Sequence, residues 1–370
     1  MAPTLLSLPS KLLQVIADQV SSEHDLRSLT QSHPRLDSIL TPYIKARKDR
    51  EERSKLLISA IKVPNHPNSA SFCSEMTVIA RLLLAYKRSL VDIRDGIGRT
   101  PLMFAAEGGH EAVVHTLLSK KYGPADVTLR NCKDQSVLWY AAKGGNIIIM
   151  QMLLDTGKLD PNTADDEGLT PFACAASEGH CEVMQLLLLE GVSPDCPTDQ
   201  GKTPLFLAAG NGREEAVKYL LALSRDGRVD PDSRTVSGAT PLREAARKGH
   251  AGVVQQLLAV EGVNPDTTDR QHSTPLIVTA LQGHVEVVKL LLATGRVQLN
   301  ARDNKGMTPL MWAAKFQRTP VVELLLSTGQ VQVDFDLREL SKGTSLIKSR
   351  EPRLDESLVK ILNAYKRDNA

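Results

Sequence analysis

Thr100-Pro101-Leu102-Met103-Phe104-Ala105-Ala106, continued by Gly109-His110, Val113-Val114 and Leu117-Leu118, is one copy of a phrase that runs through the chain. Thr-Pro returns at Thr170–Pro171, Thr203–Pro204, Thr240–Pro241, Thr274–Pro275 and Thr308–Pro309, and Ser136–Val137 stands in the one gap. The steps between copies are 36, 34, 33, 37, 34 and 34 residues. A near-constant period of this size means stacked units, none of which buries its apolar face alone. Such arrays present extended binding surfaces rather than catalytic pockets.

Each part of the phrase has a physical reading. Thr caps a first helix by accepting from an orphan backbone N–H. Pro sits at the helix start, where there is no N–H to lose. The Ala pair lets neighbouring helices approach closely. Gly109, Gly145, Gly179, Gly212, Gly249 and Gly283 fall after a helix, where a left-handed residue ends it. The Val-Val…Leu-Leu run gives a second helix with one apolar side. Asp-x-x-Gly, as in Asp95–Gly98, Asp165–Gly168 and Asp303–Gly306, predicts a tight turn into the next copy.

These residues resemble the ankyrin repeat, whose pattern T-P-L-x-x-A-A-x-x-G-H-x-x-V-V-x-L-L-L is matched in most copies from about residue 95 to 334. The resemblance implies an all-α repeat solenoid with short β-hairpin turns. Incomplete capping repeats are expected at both ends of an array spanning 72–370. At the far end Gly343-Thr344-Ser345-Leu346, with Leu358, Val359, Ile361 and Leu362, reads as a degenerate last repeat.

Residues 1–47 do not follow the period. Leu12, Leu13, Ile16, Ala17 and Val20 share one helix face after Pro9, and two further short helices carry Leu26 and Leu29, then Leu36, Ile39 and Leu40. Residues 48–71 read as a charged helix and a Pro/Asn-rich linker, Val63-Pro64-Asn65-His66-Pro67-Asn68-Ser69. The pattern Leu8-Pro9…Leu12-Leu13…Ile16-Ala17, Asp25-Leu26, Leu29, Arg35-Leu36, Leu40 and Pro42-Tyr43 resembles the F-box, although the Trp found near the end of many F-boxes is absent. The resemblance implies that Leu8, Pro9, Leu12, Leu13 and Ile16 dock on the Skp-type adaptor of a cullin ubiquitin ligase. The same helices also read as a cap that shields the first repeat.

Composition narrows the function. The net charge is +2, the surplus lies in residues 1–55, and beyond them 36 basic and 36 acidic residues cancel. A nucleic-acid binder needs a basic stripe, and an aromatic content of 4% leaves little for base stacking. The five cysteines, Cys73, Cys132, Cys174, Cys181 and Cys196, form no C-x-x-C pair and read as free thiols of a reducing compartment. No apolar run is long enough for a membrane span, and no secretory signal is evident; a cytoplasmic or nuclear protein is expected. No phosphate-loop, dinucleotide, nucleophile-elbow or zinc spacing is present, so no enzyme activity, cofactor or metal is expected.

His110, His180, His250 and His284 recur at one repeat position, one per repeat, and read as turn-forming residues. Tyr140 and Trp312 fill the slot held by Phe104, Leu207 and Val278 in other copies and read as core. Ankyrin proteins bind through turn tips and inner helices. On those positions the later repeats carry basic and apolar residues: Arg247, Lys248, Arg270, Lys305, Met307, Lys315 and Phe316. Cations beside exposed aromatics suit an acidic or amphipathic protein segment. The expected function is therefore protein–protein interaction, as substrate receptor of a Skp–cullin–F-box ligase or as a plain ankyrin scaffold.

Overall fold

The computed structural model describes residues 91–120, 124–333, 335 and 356–368. The helices and linker expected before residue 91, and the expected last repeat across 336–355, lie outside the described residues. The repeats form seven helix pairs: α1 (Pro101–Glu107) with α2 (Glu111–Leu118), α3 (Val137–Gly144) with α4 (Ile147–Leu154), α5 (Pro171–Glu178) with α6 (Cys181–Leu189), α7 (Pro204–Gly210) with α8 (Glu214–Ser224), α9 (Pro241–Lys248) with α10 (Ala251–Leu258), α11 (Pro275–Gln282) with α12 (Val285–Ala293), and α13 (Pro309–Lys315) with α14 (Thr319–Ser327). A last helix, α15, spans Glu356–Asp368. No strand occurs among the described residues, so the fold is an all-α repeat solenoid whose turns are single hydrogen-bonded loops.

The described residues divide into two compact units, 91–175 with 182–192 and 176–181 with 193–368. In the first, α1 packs on α3 and α2 on α4. In the second, the first helices α7, α9, α11 and α13 pack in one row and the second helices α8, α10, α12 and α14 in another. Helix α15 packs on α14 and thereby extends the second row. Its Leu358 and Leu362 are fully buried, and Lys366 Nζ donates to the Phe335 carbonyl at 2.8 Å.

The caps hold in every copy. The side-chain oxygens of Thr100, Ser136, Thr170, Thr203, Thr240, Thr274 and Thr308 each accept from the N–H three residues on, at 3.2–3.3 Å. All seven cap residues are buried, so losing one hydroxyl costs about 1–2 kcal/mol. The Ala pairs of α1, α3, α5, α7, α9 and α13 are likewise buried. Gly144 shows how close the helices come: a Cβ there would stand 2.6 Å from the Glu107 carbonyl oxygen of α1.

Gly109, Gly145, Gly179, Gly212, Gly249 and Gly283 take positive φ, as their spacing predicts, and in the last copy Gln317 adopts the same conformation at φ 55°. The residue after this position does more than form a turn. His250 Nε2 lies 3.1 Å from the Gly210 carbonyl oxygen of the preceding repeat, and His284 Nε2 lies 3.1 Å from that of Arg247. Where the position is Arg the bond is the same: Arg213 Nε donates to the Ser177 carbonyl and Arg318 Nε to that of Leu281. A ring or guanidinium N–H thus satisfies an orphan carbonyl at the end of the neighbouring first helix. Sequence spacing shows that this residue recurs, but not that it reaches back across the repeat boundary.

Candidate protein-interaction surface

The turns that lead into each first helix are built on one side chain. The Oδ1 atoms of Asp95, Asn131, Asp165, Asp269 and Asp303 each accept two backbone N–H groups, two and four residues on, at 2.8–3.1 Å. Thr198 and Thr235 make the second of these bonds with their hydroxyls. Successive tips join by single backbone bonds: Cys132 N–H to the Ile97 carbonyl, Asp166 to Lys133, Val236 to Gln200, Arg270 to Ser237 and Asn304 to Gln271. Within each unit the tips therefore form a row whose side chains face outward from fixed backbone.

The second polar atom of the turn residue fixes what stands on the inner helix. Asp303 Oδ2 accepts from Trp312 Nε1 at 2.8 Å, and Asn131 Nδ2 donates to the Tyr140 hydroxyl at 2.9 Å. Trp312 and Tyr140 are buried, as their slot predicts, at 7% and 3% exposure. Their polar ends nevertheless tie each helix to its own turn, which the apolar pattern alone does not reveal.

Trp312 is the centre of an aromatic and cationic surface. Phe316 stacks on it with ring centroids 5.8 Å apart, and the Lys305 and Lys315 ammonium groups stand 5.3 and 5.6 Å from its ring centroid. Phe316 remains 42% exposed. Cation–π contacts of this exposed kind are each worth about 0.5–1 kcal/mol. Lys305, Lys315 and Phe316 are thus brought together. Met307 is half-buried and belongs to the turn, its N–H donating to Asp303 Oδ1.

The other expected residues lie elsewhere in the same unit. Arg247 donates through Nε and Nη2 to both oxygens of Glu244, at 2.9 and 2.6 Å. Burial alone would raise the Glu244 carboxyl, but the bonds from Arg247 and the charges of Arg247, Lys248 and Arg243 hold it below its ordinary value. Lys248 is exposed and donates to Asn211 Oδ1 at 3.4 Å. Arg270 stands exposed on its tip.

Arg243 and Glu244 were not singled out by composition, yet they depart most from the repeat. The same two positions read Met103–Phe104, Trp139–Tyr140, Ala173–Cys174, Phe206–Leu207, Ile277–Val278 and Met311–Trp312 elsewhere. Arg243 makes an ion pair with Asp269, side chains 13% and 7% exposed. Desolvation pulls the guanidinium pKa down, against the raising effect of Asp269 and Glu244. A buried pair of this kind rarely adds stability over an apolar pair.

No group of three His, Cys, Asp or Glu side chains able to hold a metal occurs among the described residues. No helix among them is long and apolar enough to cross a membrane. Cys132 and Cys196 are exposed, Cys174 is buried and Cys181 lies between, and none of these four is in a disulfide.

Comparison with known proteins agrees with this geometry. Profiles described as ankyrin repeats match residues 120–196, 175–269 and 242–337, and a single-repeat profile matches 97–132. The chain is 37% identical over 89 residues to the ankyrin repeat and KH domain-containing protein mask-1 of Caenorhabditis elegans, 24% of this chain and 3% of that protein. It is 44% identical over 61 residues to the 26S proteasome non-ATPase regulatory subunit 10 of Dictyostelium discoideum, 16% of this chain and 26% of that one. It is 35% identical over 109 residues to the ankyrin repeat protein nuc-2 of Neurospora crassa, covering 30% and 10%. The chain thus spans only a small part of the length of the curated relatives it matches. Repeat profiles run without a gap from residue 97 to 337, over copies that share one capped and stacked geometry, and the chain belongs to the ankyrin-repeat family.

Proposed function

We propose that the chain is the substrate receptor of a Skp–cullin–F-box ubiquitin ligase, with the ankyrin array holding the target. An ankyrin array is a protein–protein interaction module, and the Trp312–Phe316 stack flanked by Lys305 and Lys315 carries the binding part of this reading. Phe316, half-exposed and held rigid by the buried Trp312 beside two cations, has the make-up of an interface anchor. Arg247, Lys248, Arg270 and Met307 complete the proposed partner face. The ligase part is supported by the residue pattern at Leu8, Pro9, Leu12, Leu13 and Ile16, which lies outside the described residues. The chain itself performs no bond chemistry in this reading. It raises the effective concentration of a target lysine near the charged ubiquitin-conjugating enzyme.

The test is a reconstituted reaction with purified adaptor, cullin–RING core, conjugating enzyme and ubiquitin. The full chain is expected to become ubiquitylated itself, and the Leu12→Asp/Leu13→Asp variant is not. Equal labelling of both chains, or none of either, removes the ligase role and leaves an ankyrin scaffold.

A further inference from the structure

A groove of about 760 Å³ runs in the second unit between helices α7 and α9 and the tips around residues 200, 236 and 270. Its lining includes Phe206, Leu207 and Val236 as apolar surface, and Val236 is 53% exposed on its tip. Gly210 adds no side chain where other copies carry Glu107, Lys143, Ser177, Arg247, Leu281 or Lys315. A Cβ there would stand 2.9 Å from Glu244 Cγ and 3.7 Å from Lys248 Nζ, so any larger residue would crowd the groove.

The charges of the lining do not balance. Lys202, Arg243, Lys248 and Arg270 face two carboxylates, Glu244 and Asp269. Asp269 is engaged by Arg243, and Glu244 by Arg247 and Lys248. Lys202 and Arg270 carry no ion pair among the described residues. Arg243 Nε is buried and has no acceptor. A buried donor without a partner is destabilising. The same positions are apolar in the other six copies, so stacking does not require this cost.

We infer that this groove binds an acidic peptide segment of a protein partner, with a carboxylate held among Lys202, Arg270 and Arg243 and an apolar side chain against Phe206, Leu207 and Val236. The carboxylate supplies the acceptor that Arg243 lacks and neutralises the surplus of the rim. The inference rests on the reading of the array as a protein-binding surface, and it assigns that surface a second contact two repeats before Trp312.

Fluorescence anisotropy of the full chain tests it, with short labelled peptides of alternating Glu and Leu, Gln and Leu, or Lys and Leu. The Glu/Leu peptide is expected to bind in preference to the other two, and more weakly as salt rises. Lys202→Glu/Arg270→Glu is expected to weaken it by roughly 10-fold or more. Arg243→Met/Asp269→Asn should weaken it comparably while the chain stays folded by circular dichroism. Met103 and Met311 hold the first of those positions in other copies, and Asn131 builds the same turn as Asp269. Lys305→Glu/Lys315→Glu is expected to bind nearly as the parent does. Equal binding of the Gln/Leu peptide, or no binding of Glu/Leu, overturns the inference. So does a loss confined to Lys305→Glu/Lys315→Glu, which would place the acidic segment at Trp312 and keep the general interaction reading intact. No peptide binding by a chain that is still ubiquitylated overturns the groove inference alone, whereas Glu/Leu binding without ubiquitylation keeps the groove and removes only the ligase role.

Discussion

Replacing Asp232 by Asn should stabilise the protein near neutral pH and remove part of its pH dependence. Asp232 belongs to a series of loop residues three positions before each turn residue: Asp92, Thr128, Asn162, Asp195, Asp232, Asp266 and Asn300. Asp92, Asp195 and Asp266 each accept one N–H from the next repeat, as Asn300 does with its amide oxygen. Asp232 Oδ1 is buried with no partner. Desolvation pushes its carboxyl up from 3.8 to about 6, with Arg234 opposing and Asp230 adding to the rise. Two pKa units correspond to about 3 kcal/mol, and solvent screening of a half-exposed group brings this to about 1–1.5 kcal/mol. The folded pKa is the higher one. The carboxyl's stabilising contribution is therefore complete below pH 3.8 and is lost as pH rises through about 6. Asn cannot ionise, so urea unfolding should show Asp232→Asn more stable than the parent by about 1–1.5 kcal/mol at a pH above 7. The gap should shrink to roughly half at a pH near 5 and go on closing below it. A variant no more stable than the parent above pH 7, or a gap that does not narrow with acid, would refute the reasoning.

Three further outcomes follow from the geometry. Thr274→Ala removes a buried cap from α11, and its denaturation midpoint should report a loss of about 1–2 kcal/mol. Gly144→Ala forces a Cβ to within 2.6 Å of the Glu107 carbonyl; thermal unfolding should show a loss of about 1–3 kcal/mol, and an unchanged midpoint would mean that α1 and α3 separate freely. Gln317→Gly relieves a left-handed non-glycine residue at φ 55°. That strain is worth about 1–2 kcal/mol, offset by about 0.5–1 kcal/mol of added chain entropy, so a slight rise in melting temperature is expected and a clear fall would contradict it.

The period and the helix caps made the fold readable, because one short pattern, Thr-Pro in six copies and Ser-Val in the seventh, returns every 33–37 residues. The left-handed glycines were readable for the same reason, since one backbone conformation recurs at one position. What was not readable acts between repeats. His250 and His284 recur in sequence, but their role depends on a carbonyl 40 and 37 residues earlier. Tyr140 and Trp312 fit an apolar slot, and only the folded turn shows Asn131 and Asp303 meeting their polar ends. Among the expected partner residues, Lys305, Lys315 and Phe316 converge on Trp312, whereas Arg247 is engaged by Glu244 one helical turn away. Arg243 and Glu244 could have been found by asking which copy breaks the apolar pair at the third and fourth helical positions. Reading each copy for its agreement with the pattern hides that signal, and reading for departures exposes it.

The most direct measurement is calorimetric titration of the full chain with purified Skp-type adaptor, beside the Leu12→Asp/Leu13→Asp variant. A one-to-one complex formed by the parent and lost in the variant, with the array's helical circular dichroism unchanged, is the expected result. No heat of binding with the parent would contradict the receptor role and leave the array to be understood through its target alone.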